Sequence, residues 1–543
     1  MTHMDSYMTK KNKYIAIALL AGFLYRMLLS LQGIDHIDLG FSNTFYQNIF
    51  THPESMTFYF NYYLAGLLGG TWYHWFSATG LLGFRFLEAL TLTASIFLVY
   101  KTFERQLANT RAAILAILMS FLFPSIVTTL HYNTLTFFFL SLAAWCYSKS
   151  LYDKQLLWTY LSGLALGFCF FVRIVNAALG ILILIPVIYA FATHQRKLAY
   201  KLGGTMIIGI ASSCLVMLAV MIALGHLPYF LAGLNEAFGF FSSGETSHSS
   251  SNLFLVYFKG YINIILQILA IFGLGALYLQ SSRLTSKWGF ALRIFLIVAS
   301  IVLIATSLPY LSAIALYTLL CTPIFYAITP KEDKLIAAFV IAGTYVFPFG
   351  SDIGIAGIYH WTGALLIIPA AAGAYHTSRI VRRGVLICSL YIACIMLWKA
   401  LSYAYGEQTP RWTCTERIGN NVLNTFTSPE KADDYRHIIA CIRENTADNH
   451  WLVLGNQSSE IFYATETKPF IGNTQLGTFT GEALTRVLDN RLQQYQQRPV
   501  VVFLNKEHFV FDEAEEVQEQ LKQWMSLHDY QMIHHDAYLT IYK

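Results

Sequence analysis

The sequence predicts an all-α polytopic membrane protein of about thirteen transmembrane helices, with interfacial helices in its first outer loop and a small C-terminal α/β soluble domain. Three observations carry that expectation. The first is composition: of 543 residues, 55% are hydrophobic and only 12% charged, with a mean hydropathy of +0.48, which leaves little polar surface for a water-soluble globule of this length. The second is that apolar runs long enough to cross a bilayer recur up to about residue 403. The third is the placement of Lys and Arg along the chain.

The apolar runs lie near 14–33, 81–100, 112–130, 134–149, 156–172, 175–193, 203–224, 253–280, 288–307, 309–328, 334–349, 361–375 and 384–403, and each is read as a span. Residues 1–13 are polar and the first run leads directly into more protein, so it is read as an uncleaved span, not a removable signal. Lys10, Lys11 and Lys13 put the N-terminus in the cytoplasm. Threading onward, the expected inside loops hold Lys101, Arg105 and Arg111; Lys149 and Lys154; Arg196, Lys197 and Lys201; Arg283 and Lys287; Lys331 and Lys334; and Arg379, Arg382 and Arg383. The expected outside loops, 34–80, 225–252 and 350–360, contain neither Lys nor Arg. This asymmetry supports an odd number of spans and puts the C-terminal tail outside. The net charge of +5 is spent on those inside loops and is not a nucleic-acid signature; no nucleic-acid partner is expected.

From about residue 404 charged residues become common. Two domains follow: a transmembrane unit, 1–403, and an extracytoplasmic unit, 404–543. In the tail, Trp451–Leu454, Val500–Phe503 and Ala537–Tyr542 read as short strands, and 481–495 and 512–526 as helices. The tail has no Gly-rich phosphate loop and no nucleophile elbow, so no chemistry is assigned to it. Six of the eight cysteines (Cys146, Cys169, Cys214, Cys321, Cys388, Cys394) fall in apolar runs as packing residues, and none shows metal-ligand spacing. An outer location would allow Cys414 and Cys441 to pair.

The candidate chemistry begins in the first outer loop, at Ile34–Phe50. Asp35 and Asp38 stand just beyond a helix ending near Gly33, and Phe41, Phe45, Ile49 and Phe50 recur at the spacing of a helix lying along a membrane surface. Carboxylates at the mouth of a helical bundle either serve as general bases or simply face solvent, and the loop alone fits both. Farther along, Asn61, His74 and Gly69–Gly70 interrupt the aromatic stretch, which favours interfacial helices over a span. Arg173 and Lys259 lie on the outer side against the positive-inside pattern, and Arg85 opens the second span there, with Glu88 within reach three residues later. Arg173 either snorkels to headgroups or grips a phosphate with its planar fork. Opposite Asp38, these three cations would cradle an anionic lipid headgroup. His131, Tyr132 and Asn133 in the short outer turn before the fourth span would add hydrogen bonds, and Asp352 and His360 in the last outer loop face the same compartment.

The plan and the order of several segments resemble the GT-C membrane glycosyltransferases, in particular bacterial relatives of the protein O-mannosyltransferase and aminoarabinose transferase families. The segments are Gly83-Phe-Arg-Phe-Leu-Glu-Ala-Leu, Leu98-Val-Tyr-Lys-Thr-Phe and Arg111-Ala-Ala-Ile-Leu-Ala, then Pro124, Trp158, Gly163-Leu-Ala-Leu-Gly-Phe and Val172-Arg. The resemblance covers roughly residues 14–195 and is architectural beyond them. It implies a GT-C-like fold in which a first-loop Asp accepts the acceptor's proton while cations hold a lipid-phosphate leaving group. Asp38, followed by Leu-Gly-Phe, best matches that Asp, and Asp35 is the alternative. The chain departs from the family at Leu39, where a Glu is frequent, and at His131–Asn133, where a second acidic residue is common.

The function expected is inverting transfer of a sugar from a polyprenyl-phosphate donor to a protein, lipid or glycan acceptor, on the outer face of a bacterial-type inner membrane. Asp38 would be the base, and Arg173 with Lys259 would stabilise the departing phosphate. No redox cofactor or nucleotide is expected, because activation is stored in the lipid-phosphate bond, and no metal is expected, because the two departures at Leu39 and His131–Asn133 remove acidic residues that a metal-assisted step would use. A membrane transporter or lipid flippase with the tail as accessory domain is the alternative. It would show internal repeats and polar groups near the midplane, whereas no convincing repeat is present and the unusual charges sit at the outer edge.

Overall fold

The computed structural model describes residues 2–107, 109–122, 129–192, 194, 196–243, 250–281, 287–307, 310–351, 354–355, 361, 363–365, 368, 379–407, 409–448, 450–479, 481–509 and 515–543. The helices in chain order are α1 (Thr2–Leu29), α2 (Asp38–Asn48), α3 (Tyr63–Phe76), α4 (Gly80–Thr102), α5 (Thr110–Leu122), α6 (Tyr132–Asp153), α7 (Leu156–Val172), α8 (Leu184–Ala192), α9 (Arg196–Ala223), α10 (Leu227–Ser243), α11 (Ser250–Ser281), α12 (Lys287–Ser307), α13 (Tyr310–Ile328), α14 (Lys334–Val346) and α15 (Arg379–Ser402). All but α2, α3 and α10 fall on expected spans. The sixth expected span is made in two parts, a 3-10 stretch at Ile174–Ile183 and then α8, and 361–375 lies mostly outside the described residues. Among the described residues, Lys11–Leu29, Pro53–Thr102, Ile174–Phe191, Arg196–Ala223 and Asn252–Ala270 are long and apolar enough to cross a membrane. The chain is a multi-pass membrane protein.

Within the bundle, Arg26 of α1 meets Glu88 of α4 at 3.1 Å, both fully buried. The expected partner of Glu88, Arg85, is spent elsewhere. Its guanidinium donates to the carbonyls of Ser30 and Gly33 and to Thr425 Oγ1 (2.9 Å). Arg85 thus clamps the chain leaving α1 to the tail, because carbonyls buried just beyond a helix end need donors.

The tail forms a five-stranded sheet in the order β4-β3-β5-β7-β6, with β3 (Trp451–Leu454), β4 (Lys468–Pro469), β5 (Val500–Leu504), β6 (Met532–His535) and β7 (Leu539–Tyr542). A separate two-stranded ribbon pairs β1 (Glu416–Arg417) with β2 (Phe426–Thr427). β3 runs parallel to β4 and β5, while β7 is antiparallel to β5 and β6. Strand side chains alternate between faces. Leu452, Leu454, Val500 and Val502 therefore pack with α16 (Pro429–Thr446) and α17 (Glu460–Thr465). Val453 and Val501 pack with α18 (Gly481–Tyr495) and α19 (Glu515–Leu527). α16 presents Ala432, Tyr435, Ile438, Ile439 and Ile442 to the core, and it starts where Ser428 caps the Lys431 amide (3.4 Å) and Pro429 opens the first turn. The expected Cys414–Cys441 pair is not made. Both thiols are free, with Cys414 beside the Pro410 carbonyl and Cys441 on α16 beside Asn445.

The first loop is not the exposed surface helix that its sequence suggests. α2 is buried from Leu39 through Tyr46, with the tail packed against it at Gly40 and the turn before α6 bonded to Asn43. Gly33 N donates to Phe426 O (2.9 Å) and Phe426 N to Leu31 O (3.0 Å), so loop and tail share one side of the membrane. Gly33 has φ +90°, and a Cβ there would meet Tyr405 O at 2.4 Å. At Gly40 a Cβ would meet Glu460 N at 2.1 Å and Ser459 C at 2.4 Å, and neither backbone atom can give way. Gly40→Ala is therefore expected to loosen the loop from the tail at a cost of about 1–3 kcal/mol. A lower unfolding midpoint of the detergent-solubilised protein, with faster proteolysis between loop and tail, would show this; an unchanged midpoint would refute it.

Candidate active site

Asp35 and Asp38 occupy different environments. Asp35 Oδ2 accepts the Leu39 amide (2.8 Å) and Oδ1 the Ile37 amide (3.3 Å), so this carboxylate fastens the start of α2. Burial pushes the Asp35 carboxyl above its usual range, and the Leu39 amide opposes that rise. Asp38 is the first residue of α2, where the helix dipole favours a negative charge. Its helix reaches Tyr59 through Phe41, and the Tyr59 hydroxyl meets Asn473 Oδ1 (2.7 Å) and Thr474 Oγ1 (2.6 Å) of the tail.

From Asp38 an aromatic wall leads across to the bundle. Phe41, one turn on, stacks on Tyr59 (centroids 4.9 Å apart) and lies 6.3 Å from Tyr132. Tyr62 stacks on Tyr132 at 4.4 Å, and Arg173 Cζ stands 5.3 Å from the Tyr132 ring centre, a cation–π distance. Two further hydrogen bonds hold the turn against α2: Tyr46 donates to Leu130 O (2.8 Å) and Thr129 to Asn43 Oδ1 (2.9 Å).

Arg173 and the turn before α6 share one feature. Arg173 gives Nη2 to Gly350 O (2.6 Å), but among the described residues its Nη1 is buried without a hydrogen-bond partner, as are His131 Nε2 and Asn133 Oδ1. His131 Nδ1 accepts the Asn133 amide (3.3 Å), and the ring stacks on Trp361 at 5.8 Å. Burial, and then the Arg173 charge, push His131 down to about 3, so the imidazole is neutral. Buried polar groups are rarely left unpaired; a guanidinium nitrogen with two such neighbours fits a phosphate and a sugar hydroxyl.

Asp38, His131, Tyr132, Asn133 and Arg173 are thus gathered in one region, and Asp35 stands at its edge. Arg85 is not part of it, being committed to the clamp already described. Lys259 is not part of it either. Tyr257 and Tyr261 of α11 both donate to Tyr345 O at 2.8 Å, and Lys259, two residues from each, lies on the opposite, exposed face. Asp352 and His360 lie outside the described residues.

Sequence reasoning missed Tyr59, Tyr62, Asn473 and Thr474. The first two recur three residues apart in the aromatic stretch, a helical-face signal; nothing in the sequence marks the others. It also missed a buried cluster behind α2, where His36 Nδ1 lies 2.6 Å and the Tyr435 hydroxyl 2.8 Å from Glu460 Oε1. Beside it a cavity of about 410 Å³ is lined by Asp35, His36, Glu407, Glu430, Lys431 and His508, among others.

Residues 74–227 match the family model described as dolichyl-phosphate-mannose-protein mannosyltransferase. That match shows the resemblance to the GT-C glycosyltransferases. The matched segment contains Arg85, His131, Tyr132, Asn133 and Arg173, and leaves Asp35, Asp38 and Lys259 outside it. No curated protein matches the chain. Among solved structures, the oligosaccharyltransferase AglB from Archaeoglobus fulgidus, in complex with an inhibitory peptide and a dolichol-phosphate, is similar at 13% identity and a TM-score of 0.49, over 91% of this chain and 70% of that one. The oligosaccharyltransferase of that organism with Zn and sulfate gives 13%, 0.47, 90% and 68%, and its apo form 12%, 0.48, 91% and 69%. Scores this low carry no argument about chemistry.

Proposed function

We propose that the chain is an inverting glycosyltransferase that moves a sugar from a polyprenyl-phosphate donor to a hydroxyl acceptor on the outer face of a bacterial-type inner membrane. One observation carries the reading: Arg173 Nη1, buried and without a hydrogen-bond partner among the described residues, lies in the same aromatic-walled region as Asp38. The donor phosphate docks against Arg173, with Asn133 and the neutral His131 meeting the phosphate or the sugar. Asp38 takes the proton of the acceptor hydroxyl, whose oxygen attacks the anomeric carbon. The bond from that carbon to the phosphate oxygen breaks with inversion, and polyprenyl phosphate leaves with its charge held by Arg173. Lys259 has no part in this step.

Two neighbouring features support the reading. An apolar groove of about 450 Å³, lined by Trp72, Trp75, Leu87, Leu90, Leu130 and Leu135 among others, runs up to the turn and fits a prenyl chain. His131 and Asn133, which follow Leu130 of that groove, place polar atoms where the phosphate end of the lipid would lie. The tail belongs with the first loop outside the cell, and 404–543 functions as an extracytoplasmic unit. A reporter fused after Tyr403 should be active only outside the cytoplasm, and one fused within 194–201 only inside; a cytoplasmic tail would contradict the orientation.

Incubating purified protein with radiolabelled polyprenyl-phosphate sugars and total envelope acceptors tests the function. Label should move to an acceptor as polyprenyl phosphate accumulates. Transport of the intact labelled lipid across a vesicle bilayer without its consumption would overturn the reading in favour of a flippase.

A further inference from the structure

We propose that His437, His534 and Asp536 form a binding site for a divalent transition-metal ion, zinc(II) by donor chemistry, at the edge of the C-terminal sheet. The three residues come from three segments: His437 from the middle of α16, His534 from β6 and Asp536 from the β6–β7 turn. Their ligand atoms lie within 4.8 Å of one another. No metal-site spacing announces them, because almost a hundred residues separate His437 from the other two, and only the docking of α16 beside the hairpin unites them.

The geometry resembles a prepared ligand set. His437 Nε2 and His534 Nε2 stand 2.6 and 2.9 Å from the same oxygen, Asp536 Oδ2. The other oxygen, Oδ1, accepts the amides of Tyr538 (2.7 Å) and Leu539 (2.8 Å). Those amides fix the carboxylate from behind and aim Oδ2 at the imidazoles, as outer-shell donors do for metal ligands. Tyr538 also packs on the His437 ring, with centroids 4.3 Å apart, and Asn505 Nδ2 donates to the Asp536 carbonyl (2.9 Å), anchoring the turn.

Two imidazoles and a carboxylate are the donors zinc takes at about 2.0–2.2 Å, with water in a fourth position. Tetrahedral bonds of that length set ligand atoms about 3.3 Å apart, so the two imidazoles must draw back from Oδ2 by about 0.4–0.7 Å. The side chains are 44%, 35% and 24% exposed, which leaves the ion a path in. Once bound, the ion staples α16 to the sheet edge. Two residues before His437, Tyr435 reaches Glu460 and lies 3.3 Å from His36 Nδ1 in the first loop, so the staple stiffens the helix that backs that loop. None of this depends on the glycosyltransferase reading.

The test uses the full-length protein in detergent, stripped with a chelator and titrated with zinc chloride alone, followed by calorimetry and thermal unfolding. Wild type should take up zinc saturably and unfold at a higher temperature with it. His437→Gln and His534→Gln should each lose one equivalent, or bind it at least about tenfold more weakly, and lose the thermal gain. Both positions are partly exposed, so neither variant threatens the fold. His535→Gln, at a ring that meets Thr540 Oγ1 at 2.9 Å, should bind as wild type. If the first two variants bind zinc like wild type, or wild type takes up none, the cluster is a hydrogen-bonded one only and the proposal fails.

Discussion

Asp38→Asn is expected to lower turnover about 10²–10⁴-fold, the usual contribution of a positioned general base, while donor binding persists. The amide keeps the size and polarity of the side chain and can still sit at the start of α2, so a structural role would survive the change. Asp35→Asn is the matched control. Asp35 holds the Leu39 and Ile37 amides, and Asn is also a competent capping residue, so turnover should stay within a few-fold of wild type. Asp35→Ala should instead lower stability by about 0.5–2 kcal/mol. Normal turnover in Asp38→Asn beside a dead Asp35→Asn would reassign the base. Two active variants would remove catalysis from this loop.

Arg173→Ala is the second large effect. A charge-stabilising donor typically contributes about 10²–10³-fold to the chemical step. The phosphate is anionic before and after transfer, so the donor KM should rise as well. Arg173→Lys should recover only part of the loss, because a point charge cannot replace a planar fork that also reaches Gly350 O. Steady-state kinetics with varied donor separates this from Asp38→Asn, where kcat falls and donor affinity does not. An Arg173→Ala enzyme with unchanged kcat and KM would leave the phosphate without its proposed partner.

Some of this was legible before the structure. The strands at 451, 500 and 539 announce themselves as short runs of apolar residues in an otherwise polar tail, and the long apolar runs fall on helices because bilayer crossing demands length and apolarity together. Arg173 stood out because it breaks the charge pattern, and the structure joins it to His131–Asn133. α16 was missed although Ser428–Pro429 and the 432, 435, 438, 439, 442 pattern were there to be read. α10 fell in a segment taken for loop. The spacing of Phe41, Phe45, Ile49 and Phe50 reads as a surface helix; the burial of α2 comes from distant segments, the tail at Gly40 and the turn before α6 at Asn43, which no local pattern reveals. Arg85 and Lys259 show the limit most plainly. The partners of Arg85 are mostly backbone carbonyls, which no residue pattern reveals, and the outward aim of Lys259 follows from which face of α11 the tyrosines occupy.

The claim of a single displacement by an acceptor oxygen activated at Asp38 is tested most directly by the anomeric configuration of the product. A polyprenyl-phosphate sugar of defined configuration is turned over by wild-type protein, and the new glycosidic linkage is read from its one-bond carbon–hydrogen coupling by NMR. The account predicts inversion of the donor's configuration; a product that retains it would contradict the mechanism.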